Sequence, residues 1–443
     1  MGKRVHFLGI GGSGASAAAA IAEAQGFEVN GCDLEPQNEF TTQFTSNQLI
    51  KGHDPKHLEN VDILATTPAI FSLDLNNPEL LEAKKLGVPV ITWQQFVGEY
   101  LTTEKFVIAV CGTHGKTTTT AMIAQILEDA KLDPTVLLGA IHPKWGANYR
   151  LARQNTSDRK YFVIEADEFN DNFLHFKPDI TVVTTIEMDH PEYFKDFESY
   201  KESFKQFLLS KKGTGSLQAK GNIVANLSDS GVADVLKAVM KETSTPAVDY
   251  SKNQLDIDLK IPGEYNKQNA MAAMQVGLML GIAPEIIRKS LENYTGVGRR
   301  FELIGKYNGA QVYSDFGHHP TEIKVTIEAV RQKFPDSRIL LIYQPHMFSR
   351  TKFLFEEFIK VFKNIPVDKT YIMDIYPSRE VDTGSITSKQ LVDAVGKNNV
   401  VYIGSTEQVL EKLKPEITTG DIVFFMSAGD TDYLAKKLTQ SLN

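Results

Sequence analysis

Short apolar runs recur along the chain, rich in Val, Ile, Leu and Phe, each stopped by a glycine, an acid, a histidine or a polar turn. Runs of this kind read as strands buried on both faces, the pattern of parallel sheets. They fall at residues 5–10, 27–32, 63–66, 88–92, 106–110, 161–164, 180–184, 222–226, 312–315, 339–343, 370–375, 400–403 and 422–426. Helix-compatible segments lie between them at 78–86, 118–130 and 321–334, with an Ala-rich stretch running to Gln25 and a stretch of small residues and Met from Gly263 to Gly281. Strands alternating with helices predict an α/β fold built on mainly parallel sheets with flanking helices. Residues 100–105 are polar with no core pattern, 211–220 are rich in Gly, Lys and Ser and read as a loop, and 296–309 read as a linker entering a strand. These breaks divide the chain into expected domains at 1–103, 104–296 and 297–443. Hinges are expected near 100–105 and 294–297.

Length and composition agree with that division. The 443 residues suffice for about three ordinary domains. A formal net charge of −8 argues against a nucleic-acid surface as the main function. No apolar run approaches the roughly 18 residues of a membrane helix, so no membrane insertion is expected. The opening MGKRVHFLGIGG reads as a first strand rather than a signal peptide. Two cysteines, Cys32 and Cys111, sit in strand-like runs and point to a reducing, cytoplasmic setting rather than a disulfide framework.

The candidate chemistry sits where the runs end. After residues 106–110 comes a glycine turn with Gly112, Thr113, His114, Gly115, Lys116, Thr117 and Thr118, followed by a helix. Strand, glycine turn and helix N-terminus make an anion site, because backbone N–H groups and the helix dipole face the ligand. Lys116 can reach β- and γ-phosphates, and the Thr117 hydroxyl can ligate Mg²⁺. The match to the general phosphate-loop pattern is imperfect: its first glycine would fall at Val110. A plain packed turn is the competing reading. Gly9, Gly11, Gly12 and Gly14, then Ser13 opening a helix and Asp33 ending the next strand, resemble a dinucleotide fingerprint. NAD, FAD and UDP-sugars all present a pyrophosphate and a ribose, and the motif does not choose among them. Thr67 ends another strand, and His53 lies on a turn that faces the same crevice or only solvent. Glu165 and Glu168 follow one strand and His190 another, where an open α/β sheet holds its ligands. Asn266 and Asn269 share a helix face and suit an adenine edge, with helix capping by Asn266 as the alternative. His318 and His319 precede Pro320 at a helix start, and QPHMFSRT follows the strand at 339–343.

GTHGKTTTT, EADE, Asp-His after a strand, Asn-x-x-Asn, RRFE, GHHPTEI and QPHMFSRT come in the order found in the Mur ligases, and the resemblance spans the chain. It implies three domains: a Rossmann-like N-terminal domain for a UDP-sugar, a central phosphate-loop domain for ATP, and a Rossmann-like C-terminal domain contacting ATP and the amino acid. GIGGSGASA and GCD at the front resemble the branch that takes UDP-N-acetylmuramate and L-alanine. By that resemblance Lys116 holds ATP phosphates; Thr117, Glu165 and His190 hold Mg²⁺; Asn269, with Asn266, contacts adenine; and Arg300 and Asp315 reach ATP. His318, His319, His346 and Arg350 approach the substrate carboxylate and incoming amine, with His318 or His319 as base, while Gly11, Gly12, Ser13, Asp33, His53 and Thr67 hold the UDP-sugar. Three positions depart from the family pattern. Met347 stands where some members have a second arginine, Tyr265 replaces a histidine before Asn-x-x-Asn, and Lys205 is out of register for the carbamylated lysine of several members.

The activity implied is ATP-driven amide formation through an acyl phosphate, in peptidoglycan precursor synthesis, by a monomer or weak homo-oligomer. Three other readings stay open: a recycling ligase that attaches a murein tripeptide to the same sugar, an NAD-dependent oxidoreductase built on the first glycine turn, and a non-catalytic nucleotide-binding regulator.

Overall fold

The computed structural model describes residues 2–153, 160–210, 222–253 and 256–440. The chain forms three mainly parallel sheets with helices packed on them. The first holds β1 (Arg4–Leu8), β2 (Glu28–Asp33), β3 (Leu49–Lys51), β4 (Ile63–Thr66) and β5 (Val90–Thr92). Its order is β3-β2-β1-β4-β5, all parallel, the doubly wound arrangement whose crevice opens beyond β1. The second holds β6 (Phe106–Cys111), β7 (Thr135–His142), β8 (Ala147–Arg150), β9 (Tyr161–Glu165), β10 (Ile180–Val183), β11 (Asn222–Ala225) and β12 (Ala247–Asp249). Its order is β12-β11-β10-β6-β9-β7-β8, with β8 antiparallel. The third holds β13 (Glu302–Tyr307), β14 (Ala310–Asp315), β15 (Ile339–Tyr343), β16 (Lys369–Met373), β17 (Val400–Gly404) and β18 (Ile422–Met426), in the order β13-β14-β18-β15-β16-β17.

The chain divides into two compact units. The first, residues 1–188, 196–258 and 268–294, carries the first two sheets; the second, 189–195, 259–267 and 295–443, carries the third. The central strands β6, β15 and β18 are buried along almost their whole length, which is why they appear in the sequence as unbroken apolar runs. In the second unit, apolar clusters cover both faces of the sheet.

The sheets are mainly parallel, as expected, with two antiparallel exceptions. In the C-terminal sheet β13 pairs antiparallel with β14. Asn308 (φ 47) and Gly309 (φ 77) join them, and two consecutive left-handed residues make the tight turn that suits a hairpin's twist. In the central sheet β8 returns antiparallel on β7, a hairpin not foreseen from the apolar pattern. The short outer strands β3 and β12, three residues each, also escaped notice. The loop expected at 211–220 lies outside the described residues.

Candidate functional site

In the first unit, β6 delivers the chain into the glycine turn, and the helix Lys116–Asp129 leaves it. Gly112 (φ 127) and Gly115 (φ 79) are both left-handed. A Cβ at Gly112 would stand 2.1 Å from the Thr184 hydroxyl, and one at Gly115 would stand 2.3 Å from Asn269 Oδ1. The turn is therefore closed by glycine for two reasons, dihedral and steric. Thr113 is held by its hydroxyl to the Glu187 carbonyl at 2.9 Å, and the His114 N–H donates to the Thr185 hydroxyl at 3.1 Å. His114 also pairs with the Glu187 carboxylate. Thr118 is buried in the first helical turn.

Lys116 Nζ donates to the Gly112 carbonyl at 2.7 Å and to both oxygens of Glu168, at 2.9 and 3.1 Å. Burial works against its charge, but the carboxylates of Glu168 and Asp167 outweigh it and push the ammonium's pKa up. Lys116 is thus a fixed cation at the mouth of the turn. Glu168 is fully buried and also accepts from the Tyr200 hydroxyl at 3.0 Å. The Thr117 hydroxyl donates to Glu165 Oε1 at 2.9 Å, and the other Glu165 oxygen accepts from the Gly139 N–H at 2.8 Å. Adjacent ligands of an Mg²⁺ octahedron with bonds of about 2.1 Å stand roughly 3 Å apart, so this hydroxyl and carboxylate fit two neighbouring positions. Asn269 accepts from the Thr119 hydroxyl at 3.2 Å and lies against Gly115. The structure gives it a bracing contact with the turn that the adenine reading did not foresee.

In the first sheet, the Gly11 N–H donates to Asp33 Oδ2 at 3.0 Å, and Gly12 caps the helix Ser13–Ala24. Asp33 therefore faces the glycine turn, as the fingerprint requires. Asn148 from β8 donates to the Ser13 carbonyl. Thr67 continues β4 and donates its N–H to the Leu8 carbonyl. His53 turns its Nδ1 toward Cys32 Sγ (3.3 Å) and Glu79 (3.5 Å), so the ring faces the interior as well as the crevice.

In the second unit, Arg350 donates from Nε to Asp189 Oδ1 at 2.9 Å, with both side chains almost fully buried. Burial alone would raise the Asp189 pKa, but Arg350 and then His190 hold it well below the usual carboxylate range. Sequence reasoning gave Arg350 a substrate carboxylate; the structure gives it one of the chain's own. Arg350 also donates from Nη1 to His346 Nδ1 at 3.1 Å. The rings of His318 and His346 stand 5.6 Å apart. Burial, then Arg350, lowers the His318 pKa to about 4; burial, then His318, puts His346 well below its ordinary value. Desolvation beside a guanidinium keeps this imidazole neutral and makes it a weaker base than an exposed histidine. His319 caps the helix Pro320–Lys333, its Nδ1 accepting from the Thr321 N–H at 3.3 Å. His190 has a left-handed backbone (φ 56), and its Nδ1 lies 3.2 Å from Glu192 Oε1, a carboxylate that orients the ring. Asp315 is buried and accepts from the Phe301 and Gly317 N–H groups, and Arg300 lies 4.5 Å over the Phe316 ring. Asn266 donates to the Pro262 carbonyl at 2.7 Å.

Each unit thus assembles part of the expected set. The first brings together Lys116, Thr117, Glu165 and Asn269, and separately Gly11, Gly12, Ser13 and Asp33; the second brings together His318, His346 and Arg350. Three participants were missed or undervalued: Glu168, Tyr200 and Asp189. Glu168 and Asp189 follow strand ends beside residues already chosen, and position alone would have found them. Tyr200 lies mid-helix, and only the fold reveals it. Lys205 points elsewhere and pairs with Glu242.

Known proteins bear on this arrangement. The family model described as Mur ligase family, catalytic domain, matches residues 4–105; Mur ligase middle domain matches 110–277; and Mur ligase, glutamate ligase domain, matches 299–429. The UDP-N-acetylmuramate–L-alanine ligase of Acetivibrio thermocellus is 38% identical, covering 97% of this chain and 94% of its own length. That of Aquifex aeolicus is 36% identical, covering 100% of this chain and 98% of its own. Among solved structures, the UDP-N-acetylmuramate-alanine ligase of Thermotoga maritima superposes with a TM-score of 0.77 at 24% identity, covering 99% of each chain. A murein peptide ligase from Psychrobacter arcticus gives 0.71 at 23% identity, covering 100% of this chain and 99% of its own; at such identities the two share the fold. With three family models following one another along its length, and relatives of up to 38% identity matched nearly end to end, this chain belongs to the Mur ligase family.

Proposed function

We propose that the protein joins L-alanine to the lactyl carboxylate of UDP-N-acetylmuramate at the expense of ATP, in peptidoglycan precursor synthesis. The observation that carries the reading is the pairing of Thr117 with Glu165 beside Lys116, in a chain matched end to end by ligases of that name. ATP supplies a phosphoryl group that converts the carboxylate to an acyl phosphate, which the amine then displaces. Two anions must meet in the first step. Lys116 stands charged at the turn, and the N–H groups of the following helix add positive potential. Mg²⁺ would be held by Thr117 and Glu165 and would neutralise phosphate charge. Asp33 and the Gly11–Ser13 turn bind the UDP-sugar. Arg350 keeps Asp189 ionised and fixes His346, and neutral His318 can accept a hydrogen bond from the attacking amine, a pKa of about 4 making it too weak a base to keep the proton, with His319 as helix cap beside it. Domain boundaries at 103/104 and 296/297, with hinges beside them, accommodate closure around the substrates. A reducing, cytoplasmic setting suits this chemistry and the two free, buried thiols.

The test is phosphate release from ATP with UDP-N-acetylmuramate and L-alanine. Release that needs both supports the reading. Release with a murein tripeptide in place of L-alanine would reassign the protein to recycling, and release independent of the sugar would reject the reading. Lys116→Ala should abolish turnover and leave UDP-sugar binding within about twofold; equal loss of both would contradict separate sites.

A further inference from the structure

Behind the first glycine turn, the first sheet buries a polar cluster that the ligase reading does not use. His6 on β1, Cys32 on β2, His57 on the short helix Pro55–Leu58, and Glu79 in the first turn of the helix Pro78–Leu86 converge on one point. One ligand atom from each lies within 4.8 Å of all the others. Glu79 Oε2 is 2.9 Å from His6 Nε2; Glu79 Oε1 is 3.0 Å from both His57 Nδ1 and Cys32 Sγ. The register explains the convergence. His6 pairs with Asn30, and Cys32 two residues on shares its face. The surroundings are apolar: Leu8, Leu58, Leu64, Ile70 and Ala83 pack about Cys32. A carboxylate and two imidazoles in such a place need strong compensation.

Protons shared with Glu79 are one form of compensation, and a single bound cation is another. His6 Nδ1 lies 2.8 Å from Asn30 Oδ1, an acceptor, so this nitrogen carries the hydrogen. The ring's Nε2 stands 2.9 Å from Glu79 Oε2. Both atoms are fully buried, and neither has a hydrogen-bond partner among the described residues. A proton on Nε2 would satisfy this one pair; a metal cation at the point where the four groups converge would satisfy Cys32 and His57 as well.

We propose that His6, Cys32, His57 and Glu79 form a buried site for a transition-metal cation of the zinc class, with His53 at its mouth. Tetrahedral zinc with bonds of about 2.0–2.3 Å sets its ligands roughly 3.3–3.7 Å apart, so the contacts of 2.9–3.0 Å found here would open by a few tenths of an ångström to admit it. A thiolate, two imidazoles and a carboxylate suit Zn²⁺, Co²⁺ or Fe²⁺ and are a poor set for Mg²⁺ or Ca²⁺. Asn30 supplies the outer hydrogen bond that fixes a ligating histidine's tautomer. On coordination the Cys32 proton passes to solvent as the sulfur binds as thiolate. His53 and His57 are partly exposed, 20% and 14%, and give the ion a way in. The ion ties β1, β2, the short helix and the helix Pro78–Leu86 into one brace under the Gly11–Asp33 turn. It is distinct from the Mg²⁺ pair Thr117 and Glu165.

The experiment strips the full-length protein with chelator and titrates it with Co²⁺ in excess Mg²⁺, without nucleotide or sugar. The expected result is one equivalent of cobalt, with intense tetrahedral bands in the visible and a thiolate-to-cobalt band in the near ultraviolet, both erased by Zn²⁺. Cys32→Ser should lose the thiolate band, and His57→Ala should weaken cobalt binding at least about tenfold. Far-ultraviolet circular dichroism would confirm that each variant is folded. No uptake by the wild type, uptake without the thiolate band, or unchanged binding by folded His57→Ala would each overturn the proposal. Because no substrate is present, none of these outcomes bears on the ligase assignment.

Discussion

Asp189→Asn is the sharpest perturbation of the second unit. The change is isosteric, so it opens no cavity, but it removes the only negative charge bonded to Arg350 among the described residues. The guanidinium is 2% exposed and keeps one further nitrogen contact, His346 Nδ1 at 3.1 Å. Stranding a buried charge in this way costs about 3–5 kcal/mol. The remaining His346 contact places the expected value near the lower end, about 3 kcal/mol. At about 2–4 °C per kcal/mol for a unit of this size, the unfolding midpoint of the second unit should fall by roughly 6–12 °C. The sign of the pH dependence follows from the depressed carboxylate. Stability contributed by Asp189 is complete above the unfolded value and is lost as pH falls through the lower folded value. The variant's defect should therefore be full at neutral pH and shrink below about pH 4. Calorimetry on wild type, Asp189→Asn, Arg350→Met and the double variant measures the coupling. If the single variant loses less than about 1 kcal/mol, or the double variant is additive within about 0.5 kcal/mol, the pair is not the buried anchor described here.

Three further outcomes follow from the site. Gly115→Ala forces a Cβ into a left-handed position 2.3 Å from Asn269 Oδ1, so stability should drop by about 1–3 kcal/mol and nucleotide binding should weaken; unchanged ATP-analogue affinity in calorimetric titration would refute the turn geometry. Thr117→Val should raise the Mg²⁺ concentration for half-maximal turnover at least about tenfold with UDP-sugar affinity intact, as read from Mg²⁺ titrations of activity; no shift would remove Thr117 from the metal shell. His318 is held near 4 against an ordinary 6.5, so the folded state resists a proton that the unfolded chain accepts; stability should fall as pH drops from about 6.5 toward 4, and His318→Asn should flatten that slope in urea titrations.

The sheets were legible because β6, β15 and β18 are buried on both faces and leave unbroken apolar runs. Helix termini marked by glycine or proline were equally plain, at Gly115 and Pro320. What escaped was either short or non-local. The strands β3 and β12 are too brief to show a period, and the Asn308-Gly309 turn, a hairpin signature, fell within a stretch read as a linker entering a strand. Lys116 and Thr117 were readable from local spacing. The link from Arg350 to Asp189 was not, since 161 residues separate them and only the tertiary fold brings a guanidinium to that carboxylate. Nor does spacing report desolvation, which is what weakens His318 as a base.

The outermost strands of the first two sheets are short, three residues in β3, β5 and β12 and four in β8, while β13 on the third has six. An unpaired rim invites another chain to dock by main-chain ladders, and brevity is one defence against that. β13 lacks this defence and carries Leu303 at 53% exposure, relieved by Glu302 and Lys306. Self-association under stress should begin along this margin, and a single charge-to-valine change at Lys306 would make it adhesive.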